Sequence, residues 1–336
     1  MTSASLDRLL ALLVVAMAAT GLLTLRAGSP DTGWVYVAHG LLAGALGAAV
    51  TLKLRASLGR AVAGRRWRRL ALGLLVTGAV AAALSGGWLW VASGDLLSIG
   101  SWTVLTLHAW VGLALVPLVL LHLLPRRWRL LRPGASAVRR AGPRLLSRRS
   151  FLAGTGLAVA GLGAFGLTRA VELVRGGERR FTGSRWLPRG GVPPATTFFG
   201  EPAPPLDPVA WRLEVRGRVQ RPGSFTLAEL RHLGEMEALA VLDCTSGWAL
   251  ETAWRGIPLD TVLAAAGMDR DAASVTVRSV TGWAAVLPPA DAAHCLLATG
   301  VAGRDLPVEN GAPLRLVVPD RRGLDWVKWV TSIEVA

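Results

Sequence analysis

The stretch 102-WTVLTLHAWVGLALVPLVLLHLL-124 contains no Asp, Glu, Lys or Arg. At about 1.5 Å per residue it is long enough to cross the roughly 30 Å hydrocarbon core of a bilayer. Apolar runs of similar length cover residues 7–26, 34–54, 70–92 and 151–171. Together they predict an all-α transmembrane helical bundle in the first half of the chain. The whole chain agrees: 336 residues, 52% hydrophobic, mean hydropathy +0.44. That average is too apolar for a purely cytosolic enzyme. With 14 Trp and long Leu/Ala/Val runs it is also too rich in buriable surface for a disordered chain.

Charge divides the chain. The net charge is +15, but residues 1–175 carry 20 Lys+Arg against 4 Asp+Glu, and residues 176–336 carry 17 against 18. The basic residues lie in loops between apolar runs rather than in one patch, which argues against nucleic acid as a partner. Segment 53–69 holds seven Lys and Arg, segment 126–149 holds nine Arg, and neither holds an acid. Loops 27–33 and 93–101 hold only Asp31 and Asp95. The positive-inside rule then places the N-terminus and both Arg-rich loops in the cytoplasm, and everything after the fifth helix outside it. The expected localisation is the cytoplasmic membrane, multi-pass. Residues 7–26 lack a small-residue cleavage site and are read as a helix, not a secretory leader. Ser147-Arg-Arg-Ser-Phe-Leu152 resembles the twin-arginine export motif, which implies export of a folded tail. Two further positive-inside arginines are the alternative.

An ionisable side chain at membrane depth needs a reason. His39 lies about five residues into its helix and His108 about six, and both helices start from the same side. Both imidazoles should sit roughly 8–9 Å deep. One axial ligand from each of two helices is what a haem b needs. His108 and His122 are 14 residues apart, about 21 Å along the helix and about 40° around it. That spacing is similar to the histidine pairs of membrane b-type cytochromes. The position 14 residues after His39 is Lys53, so one haem is expected. His122 is a candidate for an inner quinone site or a second haem. Hydrogen bonding between helices is the alternative for all three.

The second half changes character. Residues 176–210 read as a Gly/Pro/Arg-rich linker running into an ordered arm. Period-two alternation predicts a strand over 211–219. Short helices are expected at 226–233 and 258–267, the second ending at Gly267. Strands are expected at 274–280, 314–318 and 330–335. Mixed short elements predict an α+β domain. The two cysteines, Cys244 and Cys295, allow a disulfide but no disulfide framework.

Two motifs carry a resemblance. Leu242-Asp-Cys-Thr-Ser-Gly-Trp248 with Trp254-Arg-Gly-Ile-Pro-Leu259 is the first. Asn310-Gly-Ala-Pro-Leu-Arg-Leu-Val-Val-Pro319 with Gly323 and Trp326-Val-Lys-Trp-Val330 is the second. Both resemble the molybdopterin-binding domain of the sulfite oxidase superfamily, over about residues 190–336. The likeness is greatest to bacterial periplasmic methionine-sulfoxide reductase catalytic subunits, whose partner is a separate haem b membrane protein. The resemblance implies that Cys244 is the molybdenum ligand, a role that suits a soft thiolate. It implies that Asn310 and Arg315 hold the pterin and its phosphate, for which Arg offers bidentate hydrogen bonds. Trp326, Val327 and Lys328 match a stretch that wraps the cofactor, and Ser279 a residue on it. Thr196, Phe199 and Gly200 fall in the arm that reaches the cofactor. Cys295 and His294 match no ligand position and are read as packing.

The chain departs from sulfite oxidases proper. Thr-Ser-Gly-Trp follows the ligand cysteine, and the sole tyrosine, Tyr36, lies in the membrane half. Arg255, Arg278, Arg321 and Arg322 are candidates for an anion pocket. The expected organisation is a four-helix cytochrome b-like domain over 1–130. An Arg-rich loop, the export-like motif and a fifth helix occupy 131–175, and an extracytoplasmic molybdopterin domain 176–336. The expected function is two-electron oxo transfer by molybdenum-molybdopterin, with haem b exchanging electrons with the quinone pool and a sulfoxide-like substrate reduced. The alternatives are a quinone-reducing dehydrogenase of sulfite-like substrates, and a cofactor-free membrane scaffold or sensor.

Overall fold

The structure, a computed structural model, describes residues 3–65, 67–93, 96–100, 102–123, 148–175, 177–197 and 200–336. Contacts divide the chain into two units: Met1–Thr24 with Asp31–Gly177, and Leu25–Pro30 with Glu178–Ala336.

The first unit is helical. Its helices are α1 (Ser3–Thr24), α2 (Trp34–Ala63), α3 (Trp67–Ala92), α4 (Val104–Leu123) and α5 (Arg148–Arg175). The two-residue strands β1 (Ser98–Ile99) and β2 (Trp102–Thr103) pair just before α4. α1, α2, α3 and α5 are long and apolar enough to cross a membrane. α4 is an apolar helix of 20 residues with Pro117 inside it. α2 outlasts its apolar run to Ala63, because Leu, Ala and Arg continue a helix well. Most of the Arg-rich stretch and Ser147 lie outside the described residues, and Arg148–Leu152 opens α5.

Leu6 and Leu13 of α1, Leu46 and Ala49 of α2, Val80 of α3, Leu115 and Val119 of α4 and Leu157 of α5 form the unit's core. Leu12, Val15, Leu74, Leu75 and Leu162 face outward. In lipid that exposure costs nothing, so association depends on close packing of small residues. α2 and α5 supply it. A Cβ at Gly44 would lie 2.7 Å from the Gly161 carbonyl oxygen, and one at Gly40 would lie 2.8 Å from the Phe165 ring. Lys53, the α2 residue 14 positions after His39, is ion-paired with Asp7 of α1.

The second unit opens with β3 (Arg185–Trp186), β4 (Leu213–Gly217), β5 (Gly223–Phe225) and α6 (Leu227–His232). The long strands β6 (Met236–Asp243) and β7 (Trp248–Pro258) follow. Then come α7 (Leu259–Ala266), β8 (Val275–Ser279), β9 (Ala284–Leu287), α8 (Pro289–Ala292) and β10 (Leu296–Val301). β11 (Arg304–Asp305), β12 (Arg315–Val317) and β13 (Val330–Val335) complete it. Among the described residues one sheet runs β11-β10-β7-β3, with β12 on β10 and β6 on β7. The other runs β5-β4-β13-β8-β9. This is the expected α+β fold, and the helices at 226–233 and 258–267 lie where expected. Thr226 and Glu229 form a reciprocal capping box at the start of α6, and Gly267 ends α7 in the left-handed conformation. The antiparallel pair β6–β7 is absent from the expected elements, although it carries the first cysteine motif.

Gly44→Leu tests the membrane packing, because its Cβ meets backbone that no rotamer can avoid. We expect a loss on the order of 1–3 kcal/mol, seen as a lower melting temperature of the detergent-solubilised chain. Gly73→Leu, with nothing within 4 Å of its Cβ, should melt like the wild type.

Candidate functional site

Two sites can be built from the described side chains, one in each unit. In the second unit a cleft gathers the ends of both sheets. Leu242, Cys244, Thr245 and Trp248 come from the β6–β7 turn, and Ser279, Thr281 and Trp283 from the β8–β9 turn. Arg315 comes from β12, and Gly323, Leu324, Trp326, Lys328 and Trp329 from the run into β13. Pro194, Thr196, Thr197 and Glu201 of the arm close it. The space is about 700 Å³, open solvent included.

Local geometry fixes Cys244. Its N–H donates to the Trp248 carbonyl at 2.8 Å, and the Gly247 N–H donates back to the Cys244 carbonyl at 2.9 Å. Gly247 sits at φ 96°, which favours glycine. The sulfur lies 3.4 Å from the Ser246 N–H and 3.4 Å from the Thr196 hydroxyl. A Cβ at Gly323 would lie 3.3 Å from the Cys244 Cα, so the loop before β13 presses on this turn.

Two cations face the cleft. Arg315 is buried and donates to the Asn310 carbonyl at 2.8 Å. Its guanidinium lies 5.3 Å from the Trp254 ring centroid and 5.9 Å from that of Trp326. Its Nε is buried without a hydrogen-bond partner. Burial lowers its pKa to about 10, against the opposing pull of Cys244. The Lys328 ammonium donates to the carbonyls of Thr196 at 3.0 Å and Glu309 at 2.8 Å. Burial first, and Arg315 second, lower its pKa to about 8. A buried guanidinium with an orphaned N–H and no carboxylate on it among the described residues suits an anionic ligand such as a phosphate. Trp329 holds φ 52° at the cleft, an uncommon conformation for a bulky residue.

The structure brings Thr196, Cys244, Ser279, Arg315, Trp326 and Lys328 together in this cleft. Asn310 and Val327 do not line it. Asn310 donates its amide to the Pro193 carbonyl at 2.9 Å, tying down the arm. Val327 is buried, and its carbonyl accepts from Leu316. Phe199 lies outside the described residues. The four arginines offered for an anion pocket are engaged elsewhere. Arg255 pairs with Asp305, Arg278 with Glu334, Arg321 with Asp291 and Arg322 with Asp243. Both cysteines are free thiols. Cys295 is buried, with its pKa pushed up to about 12 by desolvation, which fits a packing role. Sequence reasoning missed Glu201, Trp248, Trp283 and Trp329 as cleft residues. It also missed the charges around Asp243, although an Asp closing the apolar run Leu239–Leu242 was a visible anomaly.

In the first unit the His39 and His108 rings lie edge to face with centroids 6.2 Å apart. His108 Nδ1 is 2.7 Å from the Ala83 carbonyl, which only accepts, so Nδ1 carries the proton and Nε2 the lone pair. His39 Nδ1 is 2.9 Å from the Thr20 hydroxyl, which also lies within hydrogen-bond distance of the Ala16 and Met17 carbonyls. Gly86 and Gly87 face His108, where a Cβ on either would lie 3.4 Å from it. His122 sits in the last turn of α4. Among the described residues no three His, Cys, Asp or Glu cluster to hold a metal ion.

The cleft of the second unit thus combines one thiol with two cations, and comparison with known proteins shows the family to which it belongs. The family described as oxidoreductase molybdopterin binding domain matches residues 200–336. An uncharacterized oxidoreductase YuiH from Bacillus subtilis strain 168 is 30% identical over 156 residues, 43% of this chain and 79% of that one. The chain belongs to this molybdopterin-binding family of sulfite-oxidase-like oxidoreductases. A protein-methionine-sulfoxide reductase catalytic subunit MsrP from Xanthomonas campestris pv. campestris is 34% identical over 141 residues, 37% of this chain and 44% of that protein. The MsrP of Gluconobacter oxydans is 29% identical over 220 residues, 56% of this chain and 69% of that one. The chain spans less than half the length of the Xanthomonas relative.

Lys328 gives a pH prediction. Its pKa is about 8 in the fold, against 10.5 for an ordinary lysine. Below pH 8 both the folded and the unfolded chain carry the charge, and burial of the ammonium destabilises the fold. Between 8 and 10.5 the unfolded chain holds more protons, so this penalty fades as pH rises. The melting temperature of cofactor-free Lys328→Met relative to wild type should therefore be highest near pH 7 and decline toward pH 10. A difference independent of pH would contradict the assignment.

Proposed function

We propose that this chain is a membrane-bound molybdopterin-dependent oxidoreductase that reduces a sulfoxide-like substrate on the extracytoplasmic side of the cytoplasmic membrane. The electrons come from the quinone pool through a haem b held by His39 and His108. The observation that carries the reading is the cleft itself: one thiol at its base, with Arg315 and Lys328 facing it and, among the described residues, no carboxylate paired to either. The MsrP relatives support the choice of substrate class.

When bound, molybdenum-molybdopterin supplies two-electron oxygen-atom transfer, so that a sulfoxide, two electrons and two protons give a sulfide and water. Cys244 supplies the thiolate ligand. Arg315 offers its orphaned Nε–H to the cofactor phosphate, and Lys328 adds a second cation while its carbonyl partners pin the arm. Thr196, Ser279 and Trp326 line the walls, and Asn310 and Val327 fix the backbone around them. Trp283 and Leu324 offer apolar surface for a thioether. His39 and His108 each engage Nδ1 in a hydrogen bond, the arrangement that orients an imidazole whose Nε2 would bind a metal. A haem needs only these two ligands, so no third is called for. His122 stands ready as part of an inner quinone site or a second haem site. The Lys53–Asp7 pair occupies the level where the partner of His122 would be sought, which favours one haem. The Arg148–Arg149 pair opening α5 fits export of the second unit by the twin-arginine route.

Elemental analysis of the detergent-purified chain tests this. About one molybdenum and one iron per chain are expected. Cys244→Ser should lose molybdenum and keep iron. His39→Ala or His108→Ala should lose the haem absorption and keep molybdenum. Quinol-driven sulfoxide reduction should fall at least 100-fold in all three. Neither metal, from a host that makes both cofactors, would overturn the reading.

A further inference from the structure

Asp243 ends β6 one residue before the proposed metal ligand, and its carboxylate is fully buried. Oδ2 accepts from Arg180 Nη1 at 2.9 Å and from the Thr182 hydroxyl at 2.8 Å. Oδ1 accepts from the Ser184 hydroxyl at 2.6 Å and from Arg322 Nη2 at 3.3 Å. The same Arg322 nitrogen donates to the Cys244 carbonyl at 2.8 Å. Arg322 is only 3% exposed. The cluster thus grips the Cys244 backbone, while the sulfur faces the cleft.

A buried ion pair is a poor way to stabilise a fold. Apolar residues of equal volume do as well or better, so such a cluster calls for another reason to be there. Its charge offers one. Among the described residues two guanidinium groups pair with this one carboxylate, which leaves a net positive charge against the Cys244 peptide. In a low-dielectric interior that charge acts over several ångströms. It favours the more electron-rich state of a metal bound to the Cys244 sulfur.

We propose that Asp243 and Arg322, with Arg180, Thr182 and Ser184, are positioning residues that hold the Cys244 turn and set the electrostatic field at its sulfur. This rests on the reading of Cys244 as the molybdenum ligand. Once made, it also explains why the β6–β7 turn carries a buried acid where a hydrophobic residue would pack.

The test uses the full-length chain purified in detergent from a host that makes the cofactor. The readouts are molybdenum per chain, the Mo(V) paramagnetic resonance spectrum and the Mo(VI)/Mo(V) midpoint potential. Asp243→Asn leaves the two cations unopposed and should raise the midpoint. Arg322→Met leaves Asp243 against Arg180 alone and should lower it. A turn that is merely loosened would not move the two variants in opposite directions, and a shared direction or no shift overturns the proposal. Should either variant fail to fold, Arg180→Met decides, since it removes the more exposed of the two cations and one unit of positive charge. A lowered midpoint in Arg180→Met supports the proposal, and an unchanged or raised midpoint overturns it. Cys244→Ser separates the two readings. If it leaves the Mo(V) spectrum unchanged, the ligand assignment itself has failed and this inference falls with it.

Discussion

The pairing of β6 with β7 is what the second unit depends on. Eight residue pairs, from Met236–Gly256 to Asp243–Ala249, run without a break into the turn that carries Cys244. β7 then pairs with β10 and β3 on its other edge, so the hairpin is locked into the sheet. A thiol on a free loop would wander by ångströms. A thiol on a tight turn closed by Cys244, Gly247 and Trp248 has nowhere to go. Gly256 shows how tight the lock is, since a Cβ there would lie 2.2 Å from the Leu297 carbonyl oxygen. Precision at the sulfur therefore originates in the sheet, where backbone approaches backbone too closely for any side chain.

This hairpin is also the part of the fold hardest to see in the sequence. Met236–Asp243 reads MEALAVLD, rich in Ala, Leu and Glu, and β7 includes the run WALETAW. Those residues prefer helix, and only sheet context makes strands of them. β10 was hidden for a different reason. All six of its residues are buried, so it shows no alternation. The strands that could be read, β4, β8 and β13, lie in the other sheet and keep an exposed or half-buried position at alternate residues. The helices of the first unit were legible because a membrane span needs length and apolarity more than pattern.

The site was legible residue by residue but not as a geometry. The family resemblance named Cys244, Ser279, Arg315, Trp326 and Lys328 from stretches up to 84 residues apart, and the fold brings them to one cleft. Composition could not sort the arginines. Arg255, Arg278, Arg321 and Arg322 each meet an acid, and Arg315 meets none among the described residues. Neighbours in three dimensions decide which cation serves the structure and which is left for a ligand. Asn310 shows the converse: a motif residue whose amide is used up on the arm.

The two units share a logic at their chemical centres. Buried polar groups in a folded protein are nearly always satisfied, so one that is not satisfied and also faces a cleft is available to a ligand. Arg315 keeps one N–H without an acceptor while two aromatic rings hold its plane. His39 and His108 each commit one nitrogen to a backbone or hydroxyl partner and keep the other. In each case the fold supplies every contact needed for orientation and withholds the last one. Withholding is costly where water is scarce, whether in a membrane or in a cleft lined with tryptophan. A chain selected for stability alone would have closed those gaps with an acid beside Arg315 and an apolar residue in place of each histidine. The proposed haem and cofactor phosphate are the groups that would fill those gaps.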